Sequence, residues 1–342
     1  MSVTEPPTAP LLEIGALRLD LPVDGTPETV VHRADVSVGQ GEAIALVGES
    51  GSGKSLTARS VLRLLPPGAR LHGTLRFAGE SIPDMTRERL RAYRAGEVAM
   101  VFQDPRAHIN PTRGVGDFLI EGLTTACGMP ASAARTKVAS LLREVGIPDA
   151  ERRMRQRPWE LSGGLLQRVM IAAALATEPR LLLADEPTTA LDVTTQEEVM
   201  AILAEARQAR GLAMLFITHD LELAAAVCDR VVVMYAGSTI EQVPAAALHE
   251  NTAHPYTRAL LASRPAVGDP KAELRAIGGR PLSGFEIPPG CAFAARCPRA
   301  AERCRTDRPE PRPAGRSTAA CHFPHTTAPA HATAPKEADR RA

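Results

Sequence analysis

The sequence predicts an α/β fold, in which helices cover both faces of a largely parallel β-sheet. From Leu11 to about Gln242, short apolar runs alternate with helix-like segments, which is typical of layered α/β domains. In addition, a glycine-rich loop at residues 48–55 joins one apolar run to a helix-like segment, and this strand–loop–helix connection recurs in the same fold class.

Strands are predicted where apolar residues run without interruption, because a strand buried on both faces shows no alternation. They are Ala43–Val47, Val98–Phe102, Leu181–Ala184, Met214–Thr218 and Val231–Met234. Helices are predicted at residues 55–65, 131–145, 163–177, 194–209 and 221–227. The sequence shows no internal repeat, so we expect one such α/β unit.

The composition excludes some function classes. The chain has 342 residues, of which 44% are hydrophobic and 23% are charged, as in a globular protein. Its 40 Lys and Arg residues against 39 Asp and Glu residues give a net charge of +1, which argues against a dedicated nucleic-acid-binding protein. No apolar run approaches the roughly 20 residues that cross a bilayer, and residues 1–10 lack the features of a secretory signal. We therefore expect a protein that stays in the cytosol.

Composition also divides the chain into four parts. Residues 1–10 are rich in Pro and Thr, and residues 325–342 are polar with repeated Pro and Ala, so both are predicted to be disordered. Residues 11–250 form the predicted α/β domain. Residues 251–324 contain many prolines and four of the six cysteines, and they are predicted to form a small C-terminal extension.

The loop at residues 48–55 has the spacing G-x-x-x-x-G-K-S. Its glycines allow backbone N–H groups to turn inward, and the following helix adds the partial positive charge of its N-terminus. The lysine can reach the β- and γ-phosphates of a nucleotide, and the serine hydroxyl can bind Mg²⁺. The predicted phosphate-binding residues are Gly48, Glu49, Ser50, Gly51, Ser52, Gly53, Lys54, Ser55 and Leu56.

Two adjacent carboxylates, Asp185 and Glu186, end the predicted strand LLLA. Ligands of open α/β folds bind at the carboxyl edge of the sheet, so Asp185 can lie near the predicted Mg²⁺ site. Glu186 is expected to point the other way and to orient or deprotonate the attacking water. Beside a phosphate-binding loop, this pair indicates nucleotide hydrolysis.

Further motifs narrow the class of protein. Residues 161–164 read LSGG, just before a helix-like segment, and residues 185–192 read DEPTTALD. Gln103 follows a predicted strand in VFQDP, and His219 follows another in FITHD. With the phosphate-binding loop, these motifs occur in the order found in the ATP-binding subunits of ABC transporters, which the sequence resembles over about residues 11–248.

The resemblance implies a P-loop NTPase core of the ABC ATPase type. It implies a helical subdomain at about residues 104–165, which contacts membrane subunits, and an antiparallel β subdomain. Its ATPase activity would use ATP with Mg²⁺, and the residues that correspond to the family's catalytic and metal-binding positions are Glu186, His219, Gln103, Ser55 and Asp185.

In this family two ATP molecules lie between two ATP-binding domains, and each signature motif faces the γ-phosphate held by the other domain. The resemblance also assigns Asp192, the last residue of DEPTTALD, to the family's D-loop. The corresponding signature residues are Ser162, Gly163, Gly164 and Gln167. A Ser-Gly-Gly turn at a helix N-terminus suits such a phosphate contact.

Other segments are similar to the dipeptide, oligopeptide and nickel importers within the family. They include ADEPTTALDVTTQ at residues 184–196 and HPYTRALL at residues 254–261. This resemblance implies a peripheral subunit on the cytosolic membrane face. It also implies two permease subunits, an extracellular substrate-binding protein and a second ATP-binding subunit, for which a heterodimer is preferred to a homodimer. Dipeptide, longer peptide, glutathione and nickel remain open as cargo.

The cysteines of the extension are Cys291, Cys297, Cys304 and Cys321. Four thiolates in a short segment can bind an iron–sulfur cluster or a tetrahedral Zn²⁺, and they can also remain unligated. The resemblance to peptide-importer subunits favours a [4Fe–4S] cluster. Cys127 and Cys228 lie away from this group and are expected to be buried and unreactive.

The family stacks an aromatic ring, supplied from upstream of the phosphate-binding loop, on the adenine. This chain has no Phe, Trp or Tyr before Phe77. Leu21 occupies the corresponding position, and His32 is a second possible contact, so we expect a weak base platform.

Two other function classes remain to be compared. One is a soluble ABC-type ATPase that acts on ribosomes or DNA, which the near-zero net charge disfavours. The other is an iron–sulfur redox protein, which only residues 291–321 support. Neither class explains the whole set of motifs.

Overall fold

The computed structural model describes residues 9–189, 191–263 and 276–325. Within them, one twisted sheet runs in the order β5-β4-β1-β2-β10-β9-β3-β8-β7-β6, and the short β11–β12 hairpin pairs with β10. The strands are β1 Leu12–Val23, β2 Thr26–Val38, β3 Ala43–Val47, β4 Arg70–Phe77, β5 Glu80–Ser81, β6 Val98–Val101, β7 Leu181–Asp185, β8 Ala213–Thr218, β9 Arg230–Tyr235, β10 Ser238–Pro244, β11 Arg312–Ala314 and β12 Ser317–Ala319.

Helices surround this sheet and fill the segment between β6 and β7. They are α1 Lys54–Val61, α2 Arg87–Gly96, α3 Val115–Ala126, α4 Ala131–Glu144, α5 Ala150–Arg153, α6 Gly163–Leu175, α7 Val193–Arg210, α8 Leu221–Val227, α9 Leu248–Asn251, α10 Pro255–Ala262 and α11 Glu302–Thr306. In the part of the chain that the structure describes, none of these helices is both long and apolar enough to cross a membrane.

The five predicted strands are confirmed, and they form the parallel part of the sheet. β3 pairs with both β8 and β9, β7 pairs with β8 and β6, and every one of these pairings is parallel. Along β3, Ala43, Ala45 and Val47 belong to one hydrophobic core, whereas Ile44 and Leu46 belong to a second. Helices therefore cover both faces of this part, which explains the uninterrupted apolar runs.

The antiparallel part of the sheet comes from strands that the periodicity did not reveal. β1 pairs with β2 and β4, and β5 extends the edge beyond β4. These strands mix buried and exposed positions, as in the pattern of β1, and their pairings contain register shifts. A bulge interrupts the alternation on which strand prediction relies.

All five predicted helices are confirmed, with small differences at their ends. The first ends at Val61 instead of residue 65, because Pro66 and Pro67 follow and the chain turns at Arg63, where φ is +51°. The other six helices of the described residues, α2, α3, α5, α9, α10 and α11, were not among the predicted ones. α3, α4 and α5 lie between β6 and β7, in the segment where the resemblance implies a helical subdomain.

The C-terminal extension packs against the sheet rather than standing apart from it. Its last strand, β12, adds to β10, and Phe293 is buried in the larger core, where its ring contacts Tyr235 and Tyr256. The predicted disordered tails fall mostly at residues 1–8 and 326–342, which lie outside the described residues.

Candidate active site

The phosphate-binding loop takes a conformation that requires its glycines. Gly48, Gly51 and Gly53 have φ values of +155°, +80° and +96°, a range that residues with a side chain rarely adopt. A Cβ on Gly48 would lie 2.2 Å from the carbonyl oxygen of Met234. The loop therefore fits closely against β9 and leads directly into α1 at Lys54.

Lys54 is held inside this loop. Its Nζ donates to the carbonyl oxygens of Gly48, at 2.8 Å, and Glu49, at 3.0 Å, and the residue is 5% exposed. Burial lowers the pKa of Lys54, and the nearby Glu186 and Asp185 oppose that shift. The ammonium group is thus positioned where an incoming polyphosphate can replace weak carbonyl contacts with charged ones.

Ser55 and Asp185 form the second element of the site. Ser55 Oγ donates to Asp185 Oδ1 at 2.8 Å. Asp185 is fully buried, and its Oδ2 has no hydrogen-bond partner among the described residues. Burial raises the pKa of Asp185. Arg59 Nη2 lies 3.9 Å from this Oδ2, too far for a hydrogen bond. A hydroxyl beside such a buried carboxylate fits Mg²⁺, which prefers a few hard oxygen ligands and bound phosphates.

Glu186 is the centre of a polar cluster at the mouth of the cleft. Its Oε2 accepts hydrogen bonds from Gln103 Nε2, at 2.9 Å, and Thr189 Oγ1, at 2.8 Å, and its Oε1 lies 3.8 Å from His219 Nδ1. Its backbone φ is +46°, a strained value that persists only where the surroundings enforce it. Three side chains from different loops therefore converge on one carboxylate.

Thr189 is a member of this cluster that the sequence analysis missed. It lies in the same DEPTT segment as Glu186, three residues later. This short separation in sequence could have indicated the contact. The Thr189 hydroxyl donates to the same carboxylate oxygen, Oε2, as Gln103 Nε2 does, and the two contacts together orient the carboxylate.

These groups line one cleft of about 790 Å³. The phosphate-binding loop, α1, Gln103, Glu186 and His219 contribute most of the lining. The remaining lining residues come from β2 and from the extension, and they are Val30, Pro281, Ser283, Gly284 and Phe285. Lining residues from the extension were not predicted.

The signature motif lies away from this cleft. Ser162 caps the N-terminus of α6 and accepts a hydrogen bond from the Leu165 backbone N–H at 3.3 Å. Ser162 and Gly163 are exposed. Gly164 has less space around it, since an added Cβ would lie 2.6 Å from Thr195 Cγ2. Gln167 is 3% exposed, so its side chain lies beneath the surface on which a partner would dock.

Asp192 caps the next helix, α7. Its carboxylate accepts hydrogen bonds from the Thr195 backbone N–H, at 3.0 Å, and from Thr195 Oγ1, at 2.7 Å. These hydrogen bonds lower the pKa of Asp192. The residue named as the D-loop aspartate therefore also stabilises the helix that packs against the signature motif.

Neither of the two proposed adenine contacts is among the lining residues of the cleft. Leu21 packs against the smaller hydrophobic core. His32 Nε2 lies 2.7 Å from the Gly284 carbonyl oxygen, and burial lowers the pKa of the imidazole. His32 thus joins β2 to the extension.

The four cysteines of the extension share one small cavity, which His254 also lines. All six cysteines are free thiols, and burial raises the pKa of Cys291 to about 11. His254 is buried, and its Nε2 has no hydrogen-bond partner in the described part of the chain. Across residues 9–189, 191–263 and 276–325, no group of three or more His, Cys, Asp or Glu is arranged to hold a metal ion.

The expectation for the other two cysteines is half wrong. Cys228 is buried as predicted, but Cys127 is exposed, because it lies at the C-terminal end of α3, where the helix gives way to a Gly-containing turn.

Comparison with known proteins supports the same class. Residues 31–189 match the ABC transporter family, and residues 240–304 match the C-terminal region of oligopeptide/dipeptide transporters. The chain is 42% identical to the probable D,D-dipeptide transport ATP-binding protein DdpD of Escherichia coli, over 87% of this chain and 91% of that protein. It is 41% identical to the oligopeptide transport ATP-binding protein OppD of Salmonella typhimurium, over 89% of this chain and 90% of that protein.

A solved structure agrees with the fold. The chain is similar to cbiO1 of Clostridium perfringens, part of the ABC transporter complex cbiONQ, with a TM-score of 0.59, 29% identity and coverage of 69% of this chain and 89% of that chain. The chain therefore belongs to the ABC transporter family, as an ATPase that carries the C-terminal region of the oligopeptide/dipeptide transporters.

Proposed function

We propose that this chain hydrolyses ATP to drive the import of dipeptides or oligopeptides. The observation that carries the proposal is the cleft in which the phosphate-binding loop, Ser55–Asp185 and the Gln103–Glu186–His219 cluster meet. The transport names of the relatives and the matching C-terminal region supply the substrate class. The chain acts as a peripheral subunit on the cytoplasmic face of the membrane.

Hydrolysis assigns a separate role to each part of the cleft. The backbone N–H groups of the loop and Lys54 bind the β- and γ-phosphates. Mg²⁺, held by Ser55 and Asp185, would neutralise charge that develops on the phosphate oxygens. Glu186 accepts a proton from the attacking water, while Gln103 and Thr189 hold its carboxylate in place.

His219 completes the assignment. The imidazole lies on the free side of Glu186 and is largely exposed in this chain, so it can donate a hydrogen bond to the γ-phosphate. When the γ-phosphate leaves, that contact is lost. The signature motif of a second ATP-binding subunit would bind the same phosphate from the other side, and Ser162 and Gly163 of this chain would face the phosphate held by that subunit. Hydrolysis would therefore loosen the dimer.

The partners follow from this division of work. ABC ATPases function as dimers with membrane permease subunits, and we propose that this chain pairs with a different ATP-binding subunit rather than with a copy of itself. An extracellular binding protein would deliver the peptide to two permeases. The helices between β6 and β7 would contact those permeases.

Affinity capture of the tagged chain from native membranes in mild detergent tests these partners. We expect two hydrophobic permeases and one further ATP-binding subunit in equal amounts. Recovery with ribosomes or DNA, without hydrophobic subunits, would instead support a soluble ABC-type ATPase. A dimer that contained only this chain would overturn the heterodimer.

A second candidate property concerns the cysteines. We propose that Cys291, Cys297, Cys304 and Cys321 bind a [4Fe–4S] cluster, which would stabilise a segment too small for a core of its own. The support is that four free thiols from separate turns line one cavity. Ligation requires deprotonated thiols, and among the described residues the thiols are not arranged to hold a metal, so the cavity would have to contract around the cluster.

Anaerobic purification followed by iron, sulfide and zinc analysis tests this. Four iron and four sulfide per chain, with visible absorption lost in Cys304→Ser, would support the cluster. One zinc per chain would support a tetrahedral site instead, and a metal-free protein would show that the thiols are unligated.

A further inference from the structure

One exposed aromatic side chain lies in the nucleotide cleft although it belongs to the C-terminal extension. Phe285 is 46% exposed and lines the cleft together with Val30 and with residues 49–51 and 53–56 of the phosphate-binding loop and α1. It makes no ring contact with another aromatic side chain within the described residues. A large apolar ring left exposed in a cleft is typical of a ligand contact rather than of the folded core.

The turn that carries Phe285 is fixed by its own hydrogen bonds. Glu286 accepts from the Ser283 backbone N–H at 3.1 Å and from the Ser283 hydroxyl at 3.0 Å. It also forms two hydrogen bonds with Arg280, at 3.0 and 2.6 Å. These contacts lower the pKa of Glu286 to about 2, so the carboxylate remains charged throughout the physiological range.

The same turn is fastened to the ATPase core. Gly284 lies so close to β2 that an added Cβ would be 1.9 Å from the Val30 carbonyl oxygen. His32 bonds the Gly284 carbonyl oxygen, and the Leu282 backbone N–H donates to Tyr235 Oη at 3.3 Å. The ring of Phe285 is thus presented by a backbone held on both sides, not by a loose loop.

We propose that Phe285 is the stacking platform for the nucleoside base of the bound nucleotide. The phosphate-binding loop supplies the triphosphate site of the cleft, and Phe285 is the only Phe, Tyr or Trp among the lining residues. Upstream of the phosphate-binding loop the sequence has no aromatic residue to serve instead. The extension therefore completes the ATP site of its own chain.

This role differs from the expectation based on Leu21 and His32. Leu21 belongs to the smaller core, and His32 uses its Nε2 to hold the turn. His32 would then be a positioning residue for Phe285. An aromatic face stacks on any base, so Phe285 increases the affinity for nucleotides without distinguishing adenine from guanine.

Binding measurements with two ligands test the inference, which rests on the phosphate-binding loop as the triphosphate site. MgATP and magnesium tripolyphosphate, which has no base, are titrated calorimetrically into the full-length chain and into Phe285→Ala. We expect MgATP affinity to fall about tenfold, since base–aromatic stacking has that order of effect. Tripolyphosphate affinity should not change, and Phe285→Trp should restore MgATP binding.

Leu64→Ala is the matched control, because Leu64 is 42% exposed and lines neither the nucleotide cleft nor the cysteine cavity. It should leave both affinities unchanged. The variant Trp159→Phe/Phe285→Trp has a single tryptophan, whose fluorescence should be quenched by MgATP and not by tripolyphosphate.

The outcomes separate this inference from the phosphate site itself. Equal MgATP affinity in the wild type and Phe285→Ala overturns the platform while leaving the phosphate site intact. Parallel losses of MgATP and tripolyphosphate affinity in Phe285→Ala also overturn it, because they indicate a disturbed loop. If the wild type binds neither ligand, the phosphate site and the platform are both wrong.

Discussion

Arg296 of the C-terminal extension forms a bidentate ion pair with Glu49 of the phosphate-binding loop. Arg296 Nη1 lies 2.7 Å from Glu49 Oε2, and Nη2 lies 3.1 Å from Oε1. The arginine side chain is only 5% exposed and also lies over the rings of Tyr235 and Phe293. The residue directly before Cys297 thus contacts the nucleotide site.

A second contact strengthens the connection. The Glu49 backbone N–H donates to Tyr256 Oη at 3.0 Å, and Tyr256 lies in α10 of the extension. The side chain and the backbone N–H of Glu49 thus both join the phosphate-binding loop to the extension. A phosphate contact of Glu49 stays a prediction.

The Arg296–Glu49 pair should be energetically coupled. We expect a double-mutant cycle with Arg296→Ala and Glu49→Gln to give a coupling of about 1–3 kcal/mol in urea unfolding, because removing one partner leaves the other charge poorly solvated. Glu49 keeps some exposure, which limits the value. The exposed pair Arg143–Glu151 is the control and should show little coupling. Additive effects at Arg296 and Glu49 would contradict the contact.

Lys54 should be required for nucleotide affinity. We expect Lys54→Ala to bind MgATP about tenfold to a hundredfold more weakly, because charged hydrogen bonds to the phosphates are lost. Calorimetric titration measures this. Lys137→Ala, which removes an ammonium paired with Glu178 on the surface, should bind as the wild type does. Unchanged binding by Lys54→Ala would refute the assignment of the loop.

Glu186 should act in hydrolysis and not in binding. We expect Glu186→Gln to retain MgATP affinity and to lose ATPase turnover by about a hundredfold or more, because the group that accepts the proton is gone. The variant should also accumulate as an ATP-bound dimer on size-exclusion chromatography with its partner subunit. Glu205→Gln, an exposed position on α7, is the control. Normal turnover in Glu186→Gln would show that another group activates the water.

The two cysteines outside the extension should differ in reactivity. Burial raises the pKa of Cys228 to about 12, so below that pH the thiol stays protonated and shielded. Cys127 is exposed. We expect iodoacetamide at pH 8 to label Cys127 in the native protein and Cys228 only after unfolding, as measured by peptide mass spectrometry. Rapid native labelling of Cys228 in a Cys127→Ser background would disprove this burial.

The sequence predicts the parallel half of the fold well. Buried strands such as β3 appear as uninterrupted apolar runs, and the phosphate-binding loop shows that β3 leads directly into a helix. The sequence also predicts correctly that Gln103, Glu186 and His219 lie close together, because their motifs follow β6, β7 and β8, which are neighbours in the sheet. The antiparallel strands are less visible, as bulges in β1 break their alternation.

The contacts between distant segments could not be predicted. Phe285 and Arg296 lie more than two hundred residues after the loop that they contact, and their local sequence gives no indication of it. The exposure of Cys127 depends on where α3 ends, which is the least certain feature of a sequence-based prediction.

ATP-dependent uptake of peptide into vesicles tests the central claim most directly. The complete transporter, captured through this chain, is reconstituted with MgATP trapped inside the vesicles and with peptide-loaded binding protein outside. The account predicts that labelled peptide accumulates with wild-type protein, and that accumulation stops with Glu186→Gln or without ATP. Equal accumulation in all three cases would contradict the account.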